Sequence, residues 1–412
     1  MTLDLAACQA MDRADTLAAH RDAFVLPEGM IYLDGNSLGA LPRTTAQRVA
    51  DCIAQEWGRD LITSWNKAGW IDLPRRLGDK IARLVGAAPG EVLVADSTSV
   101  NLFKVLAAAL ALRPGRRTIL SDRGNFPSDL YMAQGLAALR DAGHRLHLAE
   151  PDAVLADIGS DTAVVMLTEI DYRSGRRHDM RAITAAAHRA GALTIWDLAH
   201  SAGAGPVDLG GCGADFAVGC GYKFLNGGPG APAFLYVAAR HQDGFAQPLS
   251  GWLGHLAPFA FEAGYRPAQG IGRYLCGTPP VLSMVALECG LDTILAADLG
   301  AIRAKAMALG DLFVALVEQL CAGHRLEIAC PRDAAARGSQ VSFRHPNGYA
   351  IVQALIARGV IGDFRAPDIL RFGLAPLYLS HADIWRAVAA LRDVMDTRAW
   401  DDPRFARRAA VT

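Results

Sequence analysis

Along the middle of the chain, short runs of consecutive apolar residues alternate with longer, helix-like stretches. "EVLVAD" (91–96), "TILSD" (118–122), "TAVVMLTEI" (162–170), "GALTIWDLAH" (191–200), "ADFAVGCG" (214–221) and "APAFLYVA" (231–238) read as strands. Runs this short, apolar at successive positions, suit strands buried on both faces. Helical stretches lie between them. The first, 97–112, opens on hydroxyl residues suited to an N-cap and closes at Arg113-Pro114-Gly115. A second runs over 128–143 and a third over 179–190, with Asp179 as its cap. The alternation predicts an α/β unit whose mostly parallel sheet is covered by helices.

The C-terminal part reads differently. A helical region, about 280–320, is followed by a strand-like "SQVSFRH" (339–345) and a helix "GYAIVQALIARG" (348–359). A second strand, "DILRFGLAP" (368–376), and a last helix, "HADIWRAVAALRDVM" (381–395), complete a small α+β unit. The expected division is a large domain over 67–291 and a small domain built from 1–66 and 292–412.

Composition narrows the partners. A chain of 412 residues with 51% hydrophobic content buries a large core and is not a disordered segment. The formal net charge of −1 offers no basic excess for nucleic acid or an anionic membrane. The eight cysteines include no Cys-x-x-Cys pair, and no His/Asp/Glu cluster has metal-ligand spacing, so no metal is expected. Scattered thiols in a chain this long read as reduced core residues, which points to the cytoplasm. "MTLDLAACQAMDRADTLAAH" lacks the pattern of a secretory signal, and no apolar run reaches membrane-spanning length.

The candidate chemistry gathers at strand ends, where open α/β sheets bind ligands. Asp197 ends one strand and His200 follows it; Lys223 ends the next, in "DFAVGCGYKFLNGGPG" (215–230). Asp96 turns into a helix through Ser97, Thr98 and Ser99, a hydroxyl-rich start suited to an anion. Each feature alone has an ordinary structural role. Together, in this order, they are what pyridoxal 5'-phosphate chemistry needs: a lysine for the Schiff base, an aspartate for the pyridine nitrogen and a helix start for the phosphate.

Several motifs resemble the kynureninase family: "YLDGNSLGALP" (32–42), "STSVNLFKVL" (97–106), "GNFPSDLY" (124–131), "WDLAHSAGAGPVDL" (196–209), the Lys223 loop, "GWLGH" (251–255) and "LRFGLAPLYLS" (370–380). They span most of the chain. The resemblance implies the aspartate aminotransferase fold (fold type I, with a seven-stranded-type sheet) and a homodimer with shared active sites. It implies hydrolysis of L-kynurenine to anthranilate and L-alanine, a step of tryptophan catabolism by the kynurenine pathway. Carried over by motif, Lys223 bears the cofactor as a Schiff base and Asp197 pairs with its ring nitrogen. Thr98, Ser99 and Tyr222 reach the phosphate, and Tyr222 carries protons. Phe126 stacks on the ring within Phe126-Pro127-Ser128-Asp129, and Thr168 and His200 approach the ring substituents. Trp252 and Thr278 come from the neighbouring subunit. Arg371 clamps the substrate carboxylate, with Asn36 and Ser37 beside it, and Trp65 lines the aryl pocket with Thr278. Vertebrate-type members have a histidine near the former and an asparagine at the latter; this chain has neither. The expected preference is therefore kynurenine, with weaker turnover of 3-hydroxykynurenine.

Two other readings stay open at this level. A cysteine desulfurase or an aminotransferase has the same fold, and Cys321 and Cys330 are by position the desulfurase candidates. A non-catalytic binding module is the other, although both Lys223 and Asp197 are present.

Overall fold

The computed structural model describes residues 3–245 and 247–408. Its centre is a seven-stranded sheet of β1 (Val92–Val94), β2 (Thr118–Asp122), β3 (Arg145–Ala149), β4 (Thr162–Thr168), β5 (Leu193–Asp197), β6 (Phe216–Gly219) and β7 (Phe234–Val237). The spatial order is β1-β7-β6-β5-β4-β2-β3. The β6-β5-β4-β2-β3 ladder is parallel; β7 runs antiparallel to both of its neighbours.

Strand residues feed two separate cores by alternation. Leu93, Ile119, Val164, Leu193 and Val218 pack on one face, against α2 (Thr98–Ala111) and α3 (Pro127–Arg140). Val94, Leu120, Val165, Trp196 and Ala217 pack on the other, with α1 (Leu73–Val85), α4 (Met180–Arg189) and α5 (Val281–Leu295). This double coverage explains why β2, β4 and β5 read as unbroken apolar runs. The edge strand β3 escaped the apolar-run criterion: "RLHLA" alternates, leaving Arg145 and His147 exposed.

Helix ends follow their caps. The Ser97 hydroxyl accepts from Val100 N at 3.4 Å at the start of α2, and Asp179 accepts from Ala182 N at 2.9 Å at the start of α4. Proline opens α3 at its first position. The long C-terminal helical region breaks in two, because Asp298 caps a new helix, α6 (Leu299–Leu320), by accepting from Ala301 N at 2.7 Å.

A four-stranded antiparallel sheet follows, of β8 (Glu327–Ile328), β9 (Gln340–Arg344), β10 (Asp363–Arg365) and β11 (Ile369–Gly373), in the order β8-β9-β11-β10. It packs with α6 and α7 (Gly348–Ile356), and α8 (His381–Asp396) packs on both of those helices. The N-terminal segment meets this unit where Ile31–Tyr32 pair in parallel with Val360–Ile361, and the helix Leu5–Arg13 lies on α8. Residues 45–51 instead pack on α5. Among the described residues, no helix is long and apolar enough to cross a membrane.

Candidate active site

The carboxyl ends of β4, β5 and β6 open into one cavity of ≈ 190 Å³. The start of α2 supplies Ser97, Thr98 and Ser99 to its wall, and the start of α3 supplies Phe126, Ser128 and Asp129. Thr168 ends β4, Asp197 ends β5 with His200 just beyond, and Tyr222 and Lys223 come from the loop after β6. The expected cofactor residues other than Trp252 and Thr278 are thus drawn from five points of the chain, Pro127 being the first residue of α3.

Lys223 Nζ lies 3.0 Å from His200 Nε2 and 5.9 Å from the centre of the Phe126 ring. Burial, then the charges of Lys223, Arg371 and Arg365, hold the His200 imidazole well below its ordinary range. The ring is therefore neutral and Nε2 accepts from the lysine. Its Nδ1 has no hydrogen-bond partner among the described residues.

Asp197 and Asp129 form a buried carboxyl pair in the same cavity. Asp197 Oδ1 accepts from Ala199 N at 2.7 Å. Burial and the Asp197 charge push Asp129 well above the carboxylate range, so Asp129 is the protonated member and hydrogen-bonds to Asp197. Burial also raises Asp197, against the pull of Lys223. Two carboxyls in contact thus carry one negative charge. The Tyr222 phenol is pushed up by burial, Cys220 and Asp197 and stays protonated.

The remaining expected residues lie outside this wall. Asn36 is fully buried, donates to Gln340 Oε1 at 3.2 Å and packs so closely on Gly373 that a Cβ there would meet its Oδ1. Ser37 and Arg371 bond to one another at 2.7 Å. Gly39 N donates to the Tyr222 carbonyl at 2.7 Å, and a Cβ on Gly39 would fall 2.3 Å from the Lys223 carbonyl. The "NSLG" turn therefore docks on the lysine loop, which only glycine permits at that position. Trp65 packs edge-to-face on Trp70 at 6.1 Å, Trp252 on Phe259 at 5.6 Å, and Thr278 is exposed.

Two residues that sequence reasoning did not single out touch the candidate residues. Tyr172 lines the cavity, packs edge-to-face on Phe126 at 5.1 Å and offers its carbonyl to Arg371 Nη1 at 2.6 Å. Its only sequence signal is its place in the loop beyond β4. Asp363 grips Arg371 from the neighbouring strand and carries no local signal at all.

The donor set fits pyridoxal phosphate. An amine shares the cavity with a carboxyl pair, an aromatic ring stands beside the amine, and hydroxyls at two helix starts suit a phosphate dianion. His200 Nδ1 and Asp129 Oδ2 are buried polar atoms without a hydrogen-bond partner among the described residues, as expected of groups that meet a polar ligand.

Fold and donor set together define a fold-type-I protein of the pyridoxal-phosphate class. The apo cysteine desulfurase of Thermococcus onnurineus NA1 superposes with a TM-score of 0.77 over 92% of this chain and 98% of that one, at 20% identity, a likeness of fold alone. The chain belongs to the kynureninase family. It is 58% identical over 408 residues to a kynureninase of Burkholderia pseudomallei (strain 1106a), covering 98% of each chain. It is 54% identical over 410 residues to the kynureninase of Pseudomonas fluorescens, covering 98% of this chain and 99% of that one. Residues 302–391 match the profile of the kynureninase C-terminal domain.

Proposed function

We propose that the chain is a pyridoxal-phosphate-dependent hydrolase that cleaves the Cβ–Cγ bond of L-kynurenine with water, releasing anthranilate and L-alanine, in tryptophan degradation by the kynurenine pathway. 3-Hydroxykynurenine is the weaker substrate, because a pocket that does not hydrogen-bond a hydroxyl rejects it by only about 10²-fold. The observation that carries the reading is Lys223 sharing one cavity with a singly charged carboxyl pair in a chain 54–58% identical to curated kynureninases.

Lys223 would hold the cofactor covalently, and the cofactor, when bound, supplies an electron sink for the substrate carbons. As the free amine, Lys223 takes and returns the proton at the substrate α-carbon, with neutral His200 accepting from Nζ and orienting it. The single charge shared by Asp197 and Asp129 pairs with the ring nitrogen. Thr98, Ser99 and Ser128, at helix starts, hold the phosphate with Tyr222. The protonated Tyr222 phenol donates a proton where one is needed. Phe126 covers the ring face and, braced by Tyr172, excludes water on that side. Arg371 binds the α-carboxylate with Ser37 and Asn36 beside it, and Trp65 bounds the aryl pocket. Trp252 and Thr278 would reach the site of the partner subunit in a homodimer. We place the enzyme in the cytoplasm and divide it into a small domain, 1–66 with 292–412, and a large domain, 67–291.

A desulfurase would need a reactive, mobile cysteine. Cys321 and Cys330 are buried, and burial with the Asp396 charge pushes the Cys321 thiol up to about 11. Incubation of the purified holoenzyme with L-kynurenine should raise anthranilate fluorescence, and Lys223→Ala should not. A yellow wild-type protein that yields no anthranilate would overturn the substrate, and sulfide release from L-cysteine would favour the desulfurase.

A further inference from the structure

Arg371 on β11 lies opposite Asp363 on β10 in antiparallel register. Its Nε donates to Asp363 Oδ1 at 2.8 Å and its Nη2 to Asp363 Oδ2, a bidentate fork. Its other side meets two uncharged acceptors: the Tyr172 carbonyl at Nη1, 2.6 Å, and the Ser37 hydroxyl at Nη2, 2.7 Å. Asp363 Oδ2 also accepts from Ser37 Oγ at 2.9 Å and lies 2.6 Å from Arg365 Nη2. Asp363 is 1% exposed and Arg371 2%, so neither charge is screened by water.

A guanidinium offers a carboxylate a limited set of planar two-hydrogen edges. Asp363 occupies the Nε–Nη2 edge through charge-assisted bonds, roughly twice as strong as neutral ones. Among the described residues the Nη1–Nη2 edge is held only by neutral acceptors, which an incoming carboxylate displaces more readily. We propose that Asp363 is the positioning residue of the carboxylate clamp: it holds Arg371 by the inner edge, turns the outer edge to the substrate and brings Arg365 alongside as a second cation. The proposal rests on the reading that Arg371 binds the substrate α-carboxylate.

The local charge count agrees. Two guanidiniums against Asp363 leave a positive balance for an arriving carboxylate. Asp34, which would cancel it, has a buried Oδ1 without a hydrogen-bond partner among the described residues. It is faced by Asp363, Arg365, Arg371, Ser37, Tyr32 and Tyr378. Burial and the Asp363 charge raise its carboxyl to about 7, which limits that cancellation at neutral pH.

The test uses holoenzyme and two ligands, L-kynurenine and the corresponding amine that lacks the α-carboxylate. Amine binding is read from the cofactor's visible absorption. Asp363→Asn should raise KM for kynurenine by about 10–100-fold, the effect of losing a charged hydrogen bond. It should leave kcat within about threefold and the Kd of the amine unchanged. Asp363→Glu, which keeps the charge but displaces the fork, carries the same expectation should the asparagine variant fail to fold. A KM within about twofold of wild type, or a parallel loss for both ligands, overturns the positioning role. Arg371→Lys separates the two claims. If it abolishes the preference for the carboxylated ligand while Asp363→Asn does not, the role of Asp363 falls alone. If it keeps that preference, the underlying reading of Arg371 falls.

Discussion

Lys223 Nζ stands 3.0 Å from His200 Nε2, and the histidine cannot answer with a charge of its own. Burial and three neighbouring cations hold the imidazole neutral, so it accepts from the lysine without repelling it. Lys223→Ala should lower kcat by about 10²–10⁴-fold, the range of a lost acid–base group, and should remove the cofactor's protein-bound absorption band. His200→Gln keeps an acceptor on a differently shaped side chain and should lower kcat by only about tenfold. Because His200 stays neutral, the kcat/KM profile should show no step from it above its ordinary range near 6.5. A profile step above pH 6.5 that vanishes in His200→Gln would refute the neutral imidazole.

The carboxyl pair yields an asymmetric expectation. Asp129 is the protonated partner, so Asp129→Asn replaces a neutral donor by another and should lower kcat/KM less than about tenfold. Asp197→Asn removes the only negative charge of the pair and should lower it by more than about 10²-fold. The comparison needs both variants saturated with cofactor, checked by absorbance. A larger loss in Asp129→Asn than in Asp197→Asn would mean that Asp129 is the ionised member.

How much of this was legible in the sequence follows from how local each signal is. β4, β5 and the flanking helices could be read because burial on both faces writes an unbroken apolar run, and capping residues such as Ser97 and Asp179 act within three positions. Asp197 and Lys223 were legible as strand-end residues before any ligand was considered. β3 was not, because an edge strand alternates and so writes no unbroken apolar run. Tyr172 and Asp363 were invisible for a different reason. Each acts through a partner far along the chain, Tyr172 through Phe126 and Arg371, Asp363 through Arg371 and Ser37, and no local pattern marks such contacts.

Trp252 and Thr278 lie outside the cavity wall of their own chain, and Trp252 is 37% exposed. If they serve the partner's site, two inactive variants should rescue each other. Lys223→Ala and Trp252→Ala, mixed and allowed to exchange subunits, should regain about a quarter of wild-type activity, since random pairing gives half the dimers one intact site. Activity that stays at the sum of the separate variants would place Trp252 in its own subunit's site. Size-exclusion chromatography of the mixture checks whether both variants form dimers.

Asp34 ties the clamp to pH through stability. Its folded carboxyl titrates at about 7, raised from the ordinary 3.8 chiefly by burial and then by Asp363. Between those values the folded chain binds more protons at this position than the unfolded one, so the contribution of Asp34 to stability falls as pH rises through that window. Asp34→Asn mimics the protonated acid and removes the dependence. At pH 4 the variant and the wild type should melt together, within about a degree or two. At pH 8 the wild type carries a buried carboxylate beside Asp363, and the variant should melt higher by about 2–4 °C, the shift that roughly 1 kcal/mol produces in a large chain. Thermal scans of both proteins from pH 4 to 8 measure the gap. A gap that is constant with pH, or one that widens toward acid, would mean that Asp34 is ionised throughout and that the two arginines are already balanced by two carboxylates before substrate arrives.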